Sequence, residues 1–271
     1  MDPSGAAETS EPALEKPYWR TNFFRRFFAD QRFFFRTWAP SEARNPAFYA
    51  PFVVTTALAY ASSRDENGGV DAQLEADFHL DTQGTSSRWA RYFSDLGDAG
   101  TGIVLLGVGY FAGRWSGHDR FAEASSLSAE AALNAGLWSS VLKAVSGRNR
   151  PSSSGTGDFG DYDKTRGEHV GSFPSGHATG AFAVATVFSG VYSDHKWVSW
   201  LAYGTAGMIG VSRVALARHF PSDVIAGALL GNSMGRMVLA RRNGADPPRS
   251  SLQPIIGPAP GQVGLAWNYS W

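Results

Sequence analysis

The feature that most constrains the fold of this chain is a row of glycines spaced four residues apart: Gly227, Gly231 and Gly235. They lie in an apolar segment that Pro221 opens, and this segment is predicted to be a helix as far as about Arg242. On a helix, residues four apart share one side, so this side carries almost no side chains and a second helix can approach it closely. The sequence therefore predicts tightly packed helices.

Apolar segments too long for strands recur between residues 46 and 243, without a fixed-period repeat or strand alternation. We predict an all-α domain at 46–243, a bundle of about six core helices, with a motif-bearing core at 85–243. A chain of 271 residues is long enough to bury one such core. The Ser-, Gly- and Asp-rich segment from Ser152 to Ser172 is either a lid or a disordered linker.

The two ends of the chain differ from this domain. Residues 1–45 comprise a polar leader and an aromatic and basic arm, and residues 244–271 comprise a Pro-rich linker and a terminal strand-like tail. Alternating large and small residues from Val263 to Trp271 predict a short β-strand in the tail. A lone strand is unstable, so it pairs with another segment, pairs with another chain, or stays loose.

The arm, residues 17–38, carries seven Phe, two Trp and five Arg against a single Asp. Rings at the acyl boundary and guanidinium groups on lipid phosphates are typical of an interfacial membrane anchor. An amphipathic arm packed on its own domain explains the same composition equally well. The first interpretation predicts contact with a membrane surface through residues 17–38.

Composition limits the partners and the location. Lys plus Arg equals Asp plus Glu at 24 each, so net charge gives no reason to expect nucleic acid. The sequence has no Cys, which excludes disulfides, thiolate metal sites and cysteine nucleophiles. The first sixteen residues lack the basic start and apolar run of a signal peptide, so either the chain is cytoplasmic or a leader has been removed. Uncharged runs at 46–63, 178–193 and 197–212 are shorter than the about 20 residues of a membrane span and slightly favour buried core helices.

The first candidate site residues are two cations, Lys143 and Arg150, with Pro151 after them. Lys143 lies in the last turns of a predicted helix, and Gly147 lets the chain turn so that Arg150 points back toward the same place. Basic residues at a helix C-terminus also complement the helix dipole, so this pair alone is weak evidence for a site.

The second candidate is the segment Pro174–His177. Proline at the first helical position would start a helix, and Ser175 and Gly176 would leave its backbone N–H groups open to an anion. His177 is then at the rim of the anion site, where it can pass a proton to a leaving oxygen. A capped helix with an incidental histidine is the alternative.

The third candidate runs from Ser212 to Asp223, with His219 just before the helix that Pro221 opens. Arg213 offers a planar fork of donors that matches phosphate oxygens. Asp223 lies in the first turn of that helix and can accept a hydrogen bond from one imidazole nitrogen of His219, which would fix its tautomer. The alternative is that Asp223 only caps its helix.

In order, these three segments reproduce the three-part signature of a known family. The chain resembles the type 2 phosphatidic acid phosphatase superfamily, which also includes bacterial non-specific acid phosphatases and vanadium haloperoxidases. The resemblance implies the helical bundle of the acid phosphatase/haloperoxidase type over the core at 85–243. The arm and the tail lie outside it and inherit nothing from it.

The resemblance also implies a role for each matched residue. His219 corresponds to the nucleophile that attacks phosphorus and becomes a phosphohistidine, Asp223 to the carboxylate that orients it, and His177 to the general acid. The residues that correspond to the phosphate-binding groups are Lys143, Arg150, Ser175, Gly176 and Arg213. Fixed cations and helix-end donors would stabilise the transition state, so no metal is expected.

The expected function is a metal-independent phosphatase that acts on phosphomonoesters or diphosphates of a lipid-linked kind, such as phosphatidic acid or an isoprenoid diphosphate. A soluble periplasmic non-specific acid phosphatase is the alternative, favoured by the mean hydropathy of -0.20. Further alternatives are a vanadium haloperoxidase and a non-catalytic envelope protein. No cofactor is expected, and vanadate should inhibit; it would be a cofactor only in the haloperoxidase. The expected location is the bacterial cell envelope, periplasmic or membrane-associated, with the inner membrane itself as the alternative.

Overall fold

The structure, a computed structural model, describes residues 17–66, 69–80, 87–154, 157–160, 171–244, 249–256 and 263–270. Most of the predicted lid or linker from Ser152 to Ser172 lies outside them. The described chain is predominantly helical, which confirms the predicted all-α fold class. Its α-helices, in chain order, are α1 (Phe23–Phe33), α2 (Ala39–Glu42), α3 (Pro46–Ser63), α4 (Gly69–Phe78), α5 (Arg88–Leu96), α6 (Ala99–Trp115), α7 (Asp119–Ser146), α8 (Pro151–Ser154), α9 (Gly176–Val191), α10 (Lys196–Ala215) and α11 (Pro221–Arg242).

The bundle is built around α9, which packs against α7, α10 and α11. Helix α6 packs on α7, and α5 packs on α10, so the core consists of these six helices. Buried apolar side chains of α7, α9 and α11 fill the centre: Leu127, Ala131, Ala183, Val187, Met234 and Val238. Helices α3 and α4 lie outside this core, against α11 and each other.

The glycine row of α11 faces α9. A Cβ atom added to Gly227 would lie 2.6 Å from the carbonyl oxygen of Ser175. A Cβ atom added to Gly231 would overlap the carbonyl oxygen of Thr179. Side chains at these positions would force the two helices apart, so direct backbone approach sets the distance between α9 and α11.

Local signals fix several helix ends. The side chain of Asn45 accepts a hydrogen bond from the backbone N–H of Ala47 (3.1 Å) and caps α3, as Asn before Pro predicts. Gly147 follows α7 with a left-handed backbone (φ 53°), which ends the helix there. The side chain of Asp98 caps α6 by accepting from the N–H of Gly100 (2.8 Å).

The arm packs one face on its own domain. The buried Trp38 donates from Nε1 to the hydroxyl of Ser233 (2.9 Å), and the buried Arg26 pairs with Glu130 of α7 (2.6 Å). The arm also presents three rings to the outside, each 63% to 69% exposed: Phe24, Phe28 and Phe35. Packing on the domain is therefore observed, and membrane contact through the exposed rings stays a proposal.

A buried polar cluster holds the arm in place. Glu130 accepts a hydrogen bond from the hydroxyl of Tyr18 (2.8 Å) in addition to its pairing with Arg26. Asp30 pairs with Arg241 of α11 (3.0 Å). These five residues, Tyr18, Arg26, Asp30, Glu130 and Arg241, are called the arm cluster.

The tail contains two strands, β1 (Arg249–Ile256) and β2 (Val263–Ser270), which pair antiparallel with Arg249 opposite Ser270. Strand β2 occupies the predicted position. Strand β1 lies in the segment predicted to be an irregular linker, and this part of the prediction is wrong. Pro254 suggested the linker, but in a two-stranded ladder both strands are edges, where proline is tolerated.

Within the described chain, no single helix is long and apolar enough to cross a membrane. Helices α5 and α6 meet the requirement together, with a bend of 61° between them. Apolar side chains that are at least 58% exposed are frequent on α6 and α10: Ile103, Val104, Val108, Phe111, Trp197, Trp200 and Leu201.

Candidate active site

The predicted site residues meet where four core helices end. Lys143 lies near the C-terminal end of α7 and Arg213 near that of α10. His177 lies in the first turn of α9 and Asp223 in the first turn of α11. The backbone N–H of Ser175 donates to the carbonyl of Asp223 (2.9 Å), which joins the starts of α9 and α11. Two helix N-termini thus add their positive dipoles to a group of cations.

His219 is buried directly before α11, and its Nδ1 lies 3.5 Å from Oδ2 of Asp223. The hydroxyl of Ser172 donates to the same Oδ2 (2.5 Å) and lies 3.2 Å from Nδ1 of His219. The carboxylate therefore acts on the imidazole across the direct contact and also through Ser172. Because Nδ1 faces Asp223, Nε2 is the nitrogen left for chemistry.

The two interpretations of Asp223, orienting and capping, are both observed. Its Oδ2 accepts a hydrogen bond from the backbone N–H of Phe220 (2.9 Å), and its Oδ1 accepts one from Arg148 (2.7 Å). Burial opposes ionisation of this carboxyl, but the Arg148 cation and the hydrogen bonds from His219 and Ser172 hold its pKa below the usual range. Asp223 is therefore ionised.

Both histidines have lowered pKa values. Burial lowers the pKa of His219 to about 3, with Asp223 opposing the shift and Lys143 adding to it. Burial lowers the pKa of His177 to about 4, and the Arg213 cation adds to it. Both imidazoles are therefore neutral near pH 7. A neutral imidazole suits a nucleophile such as His219. For His177 to act as an acid, additional negative charge nearby must raise its pKa.

Three cations of the site lie close enough to lower one another's pKa values. Lys143 donates from Nζ to the carbonyl of Gly171 (2.9 Å), and burial together with Arg150 lowers its pKa to about 8. The same two causes lower the pKa of Arg213 to about 10, which places Arg150 near both. Among the described residues, no group of three or more His, Asp and Glu side chains is arranged to hold a metal ion.

Helix α9 begins at Gly176, so the predicted start at Pro174 is wrong by two residues. Ser175 is the N-cap: its hydroxyl accepts from the backbone N–H of Ala178 (3.5 Å), which places Pro174 outside the helix. The Ser175 side chain is thus buried and engaged in capping, whereas Gly176 lies in the cavity wall next to Lys143.

A cavity of about 1060 Å³ leads from the site between α6, α7, α9 and α10. Lys143 and His177 line it, and so does Trp19 of the arm. Its wall on α7 reaches from Lys143 to Ser125, a helix length of about 27 Å. Many of its lining residues are small: Gly102, Gly107, Gly136, Gly180, Ala181 and Ala202.

Two buried hydroxyls on the cavity wall, those of Ser125 and Ser139, have no hydrogen-bond partner in the described part of the chain. Ser139 lies one helical turn before Lys143, so its hydroxyl is close to the site. Buried polar groups are normally satisfied, and a polar atom of a ligand or a water would satisfy these two.

The sequence did not mark four residues of this site: Ser172, Arg148, Asp71 and Ser94. Ser172 and Arg148 lie beside or inside the signature motifs, where closeness to the motif was an available signal. Asp71 lies on α4 and binds Arg148 (2.7 Å), and Ser94 lies on α5 and accepts from Arg213. No local pattern marks them, because only the packing of α4 and α5 brings them to the site.

Residues 126–245 match the PAP2 superfamily. The chain is 40% identical over 72 residues to a lipid A 1-phosphatase of Porphyromonas gingivalis, a match that covers 26% of this chain and 16% of that protein. It is 36% identical over 99 residues to a lipid A 1-phosphatase of Rhizobium etli, covering 35% of this chain and 40% of that protein. The chain thus spans less than half the length of these curated relatives.

The fold is similar to that of a solved transmembrane PAP2-type phosphatidylglycerolphosphate phosphatase from Bacillus subtilis. The TM-score is 0.54 at 24% sequence identity, over 72% of this chain and 96% of that chain. The likeness confirms the predicted type of helical bundle.

Proposed function

We propose that the protein is a metal-independent phosphatase of the PAP2 superfamily, which residues 126–245 match, and that it hydrolyses lipid-linked phosphomonoesters or diphosphates through a phosphohistidine. One observation carries the proposal: the buried His219 lies 3.5 Å from the buried carboxylate of Asp223, near a group of cations that, with burial, lowers the pKa of the imidazole. A neutral imidazole with one oriented nitrogen is a competent nucleophile.

In the first step, Nε2 of His219 attacks phosphorus, the bond from phosphorus to the leaving oxygen breaks, and His177 gives that oxygen a proton. Asp223 stabilises the positive charge that forms on the imidazole. In the second step, His177 takes a proton from water, the water oxygen attacks phosphorus, and the N–P bond breaks. Inorganic phosphate leaves and His219 is restored.

His177 must carry a proton in the first step, although burial and Arg213 lower its pKa to about 4. A bound phosphate brings negative charge beside the imidazole and raises this pKa. We therefore expect His177 to become protonated as the substrate binds.

Lys143, Arg150 and Arg213 supply the positive charge that a phosphoryl transition state requires. The N–H groups at the start of α9 add hydrogen-bond donors at Gly176. These groups neutralise the charge of the phosphoryl group, and no metal ion takes part.

The cavity beside the site supports the lipid part of the proposal. A wall of about 27 Å lined by small residues accommodates an extended apolar chain while the phosphate lies at Lys143 and His177. The similar proteins are named for phosphatases of lipid A and of phosphatidylglycerolphosphate. The exposed rings Phe24 and Phe28 and the apolar faces of α6 and α10 support a membrane-associated position in the bacterial cell envelope.

A soluble periplasmic acid phosphatase is the second candidate, because the mean hydropathy of -0.20 is ordinary for a soluble protein. It shares the catalytic steps and differs in the leaving group. Its substrates would be small phosphate esters that do not use the cavity.

The test measures phosphate release from phosphatidic acid, an isoprenoid diphosphate and an aryl phosphate by the wild type and by His219→Ala. We expect release from the lipids to exceed release from the aryl ester. The His219→Ala variant should be inactive, vanadate should inhibit and a chelator should have no effect. Rapid quenching with 32P-labelled substrate should trap an acid-labile phosphoryl group on the wild type alone.

Full activity in His219→Ala would overturn the proposed nucleophile. A preference for the aryl ester that is unchanged in a Phe24→Ser, Phe28→Ser double variant would favour the soluble alternative. The ring contacts of these two side chains are with their neighbours Phe23 and Phe27 within the arm, whereas Phe35 also packs on Trp138 of α7, so the double variant separates membrane contact from folding.

A further inference from the structure

Asp223 is held on the side away from His219 by a buried arginine. Nη1 of Arg148 donates to Oδ1 of Asp223 (2.7 Å), and neither side chain is exposed to solvent. The planar guanidinium is itself fixed, because its Cζ lies 4.3 Å from the ring centroid of Phe220 and 5.1 Å from that of Phe159. Arg148 therefore determines where the carboxylate of Asp223 can lie.

Arg148 is shared with a second carboxylate. Its Nη2 donates to Oδ2 of Asp71 (2.7 Å), and the Oδ1 of Asp71 accepts from the backbone N–H of Ser222 (3.0 Å) at the start of α11. The hydroxyl of Ser222 also donates to Asp71 and accepts from Arg148 (2.7 Å). The group Asp71, Arg148, Ser222 and Asp223 is thus closed by hydrogen bonds.

The charges of this group explain why two carboxylates are needed. If Arg148 paired with Asp223 alone, the pair would be neutral, and little negative charge would remain to stabilise an imidazolium at His219. Asp71 offsets the charge of Arg148, so the three side chains together carry one net negative charge. In a buried site with a low dielectric, that remaining charge acts strongly on the nearest imidazole.

We propose that Asp71 of α4 is a positioning residue of the active site, which holds Arg148 and offsets its charge so that Asp223 can orient and stabilise His219. This inference rests on the proposed function. It extends the site to an element outside residues 126–245, the part of the chain that matches the family.

The test is a double-mutant cycle with Asp71→Asn and Asp223→Asn. Asp71→Asn keeps one oxygen acceptor for the backbone N–H of Ser222, removes the negative charge and replaces the oxygen that binds Arg148 by an amide NH2 group. We expect it to lower kcat about tenfold and to change KM less than about twofold, since Asp71 does not touch the phosphate. In the Asp223→Asn background the same change should alter kcat less than about twofold, because residues that act through one partner are not additive.

A second measurement does not require turnover. In protein labelled with 15N-histidine, the imidazole signals that disappear in His219→Ala belong to His219. We expect the wild type to show the Nδ1–H tautomer alone and Asp71→Asn to show a mixture of tautomers. If the wild type releases no phosphate from any substrate, the proposed function fails, and this measurement still decides the role of Asp71.

Glu130→Gln is the matched control, since it removes a carboxylate from an equally buried arginine pair in the arm cluster. It should leave kcat and the His219 tautomer unchanged at temperatures where the protein is folded. Two results would overturn the inference: equal loss of kcat on Asp71→Asn in both backgrounds, or a single unchanged His219 tautomer in Asp71→Asn.

Discussion

The site contains a buried arginine, Arg148, that is held by two carboxylates, and the arm contains a buried arginine, Arg26, that is held by one. The difference between the two groups lies in what these carboxylates face. In the site, Asp223 faces His219, an imidazole next to a large cavity. In the arm cluster, Glu130 faces Arg26 and the hydroxyl of Tyr18, which is inert at neutral pH. Similar ionic groups therefore adjoin an imidazole and a cavity in one region and hold two segments together in the other.

The two groups also differ in the pKa values of their carboxyl groups. Arg148 and its neighbours keep the pKa of Asp223 below its usual range despite burial. Burial raises the pKa of Asp30 to about 8, and the like charge of Glu130 adds to this shift. The surroundings of Asp223 favour its ionised form, whereas the surroundings of Asp30 favour its protonated form. A group that serves catalysis needs the first state, whereas a group that only joins two segments tolerates the second.

The largest expected effect is a loss of stability on changing the arm cluster, with no change in turnover by the folded protein. Glu130→Gln leaves Arg26 without its charged partner in a buried place, and breaking such a pair costs about 3–5 kcal/mol of unfolding free energy. Urea denaturation measures the loss. A loss below about 1 kcal/mol would mean that the arm contributes little to stability and that the two groups differ less than their geometry indicates.

The next effect concerns the pH dependence of stability. Since the folded pKa of Asp30 is raised above its unfolded value of about 4, the folded state keeps a proton that the unfolded state loses. The contribution of Asp30 is therefore fully present below about pH 4 and is lost as pH rises to about 8. Thermal midpoints of the wild type should fall relative to those of Asp30→Asn across this window. Parallel curves for the two proteins would contradict the raised pKa.

The smallest effect concerns the cation of the site. Burial and Arg150 lower the pKa of Lys143 to about 8, so its charge is present below this pH and is lost above it. We expect kcat/KM of the wild type to fall about tenfold per pH unit above pH 8, because this parameter reports the free enzyme. The Lys143→Arg side chain keeps its charge at higher pH, so kcat/KM of this variant should begin to fall at a higher pH than kcat/KM of the wild type. If kcat/KM falls at the same pH in both proteins, the fall is caused by the titration of another group.

The sequence was sufficient for the fold class and for bringing the residues of the three motifs together, but not for the other residues of the site. Long apolar segments predicted helices, and the spacing inside each motif placed Lys143, His177 and Asp223 at helix ends. These inferences succeeded because they depend on periodicity and on helix-end chemistry, which are local. The glycine row predicted a close helix contact but could not say that α9 would make it.

The sequence was insufficient where two local signals compete, and where residues distant in the sequence meet. Pro174 and Ser175 both signal a helix start, and the sequence does not show that Ser175 prevails by binding the N–H of Ala178. Asp71 lies in α4, and no pattern around it differs from that of an ordinary helix start. Its role requires the contact of α4 with α11, a tertiary event that a local pattern does not contain.

The row of glycines on α11 has a mechanical consequence for the site. His177 lies in the first turn of α9 and Asp223 in the first turn of α11, and these helices touch through their backbones at Gly227 and Gly231. Backbones in contact cannot yield as side chains do, so the stiff wall of α9 and α11 holds His177, the proposed acid, and Asp223, the proposed orienter of His219. A bulkier leaving group must then be accommodated by the opposite wall, α6 and α10, where side chains set the width. Selectivity can therefore change on that compliant wall without altering the geometry of proton transfer.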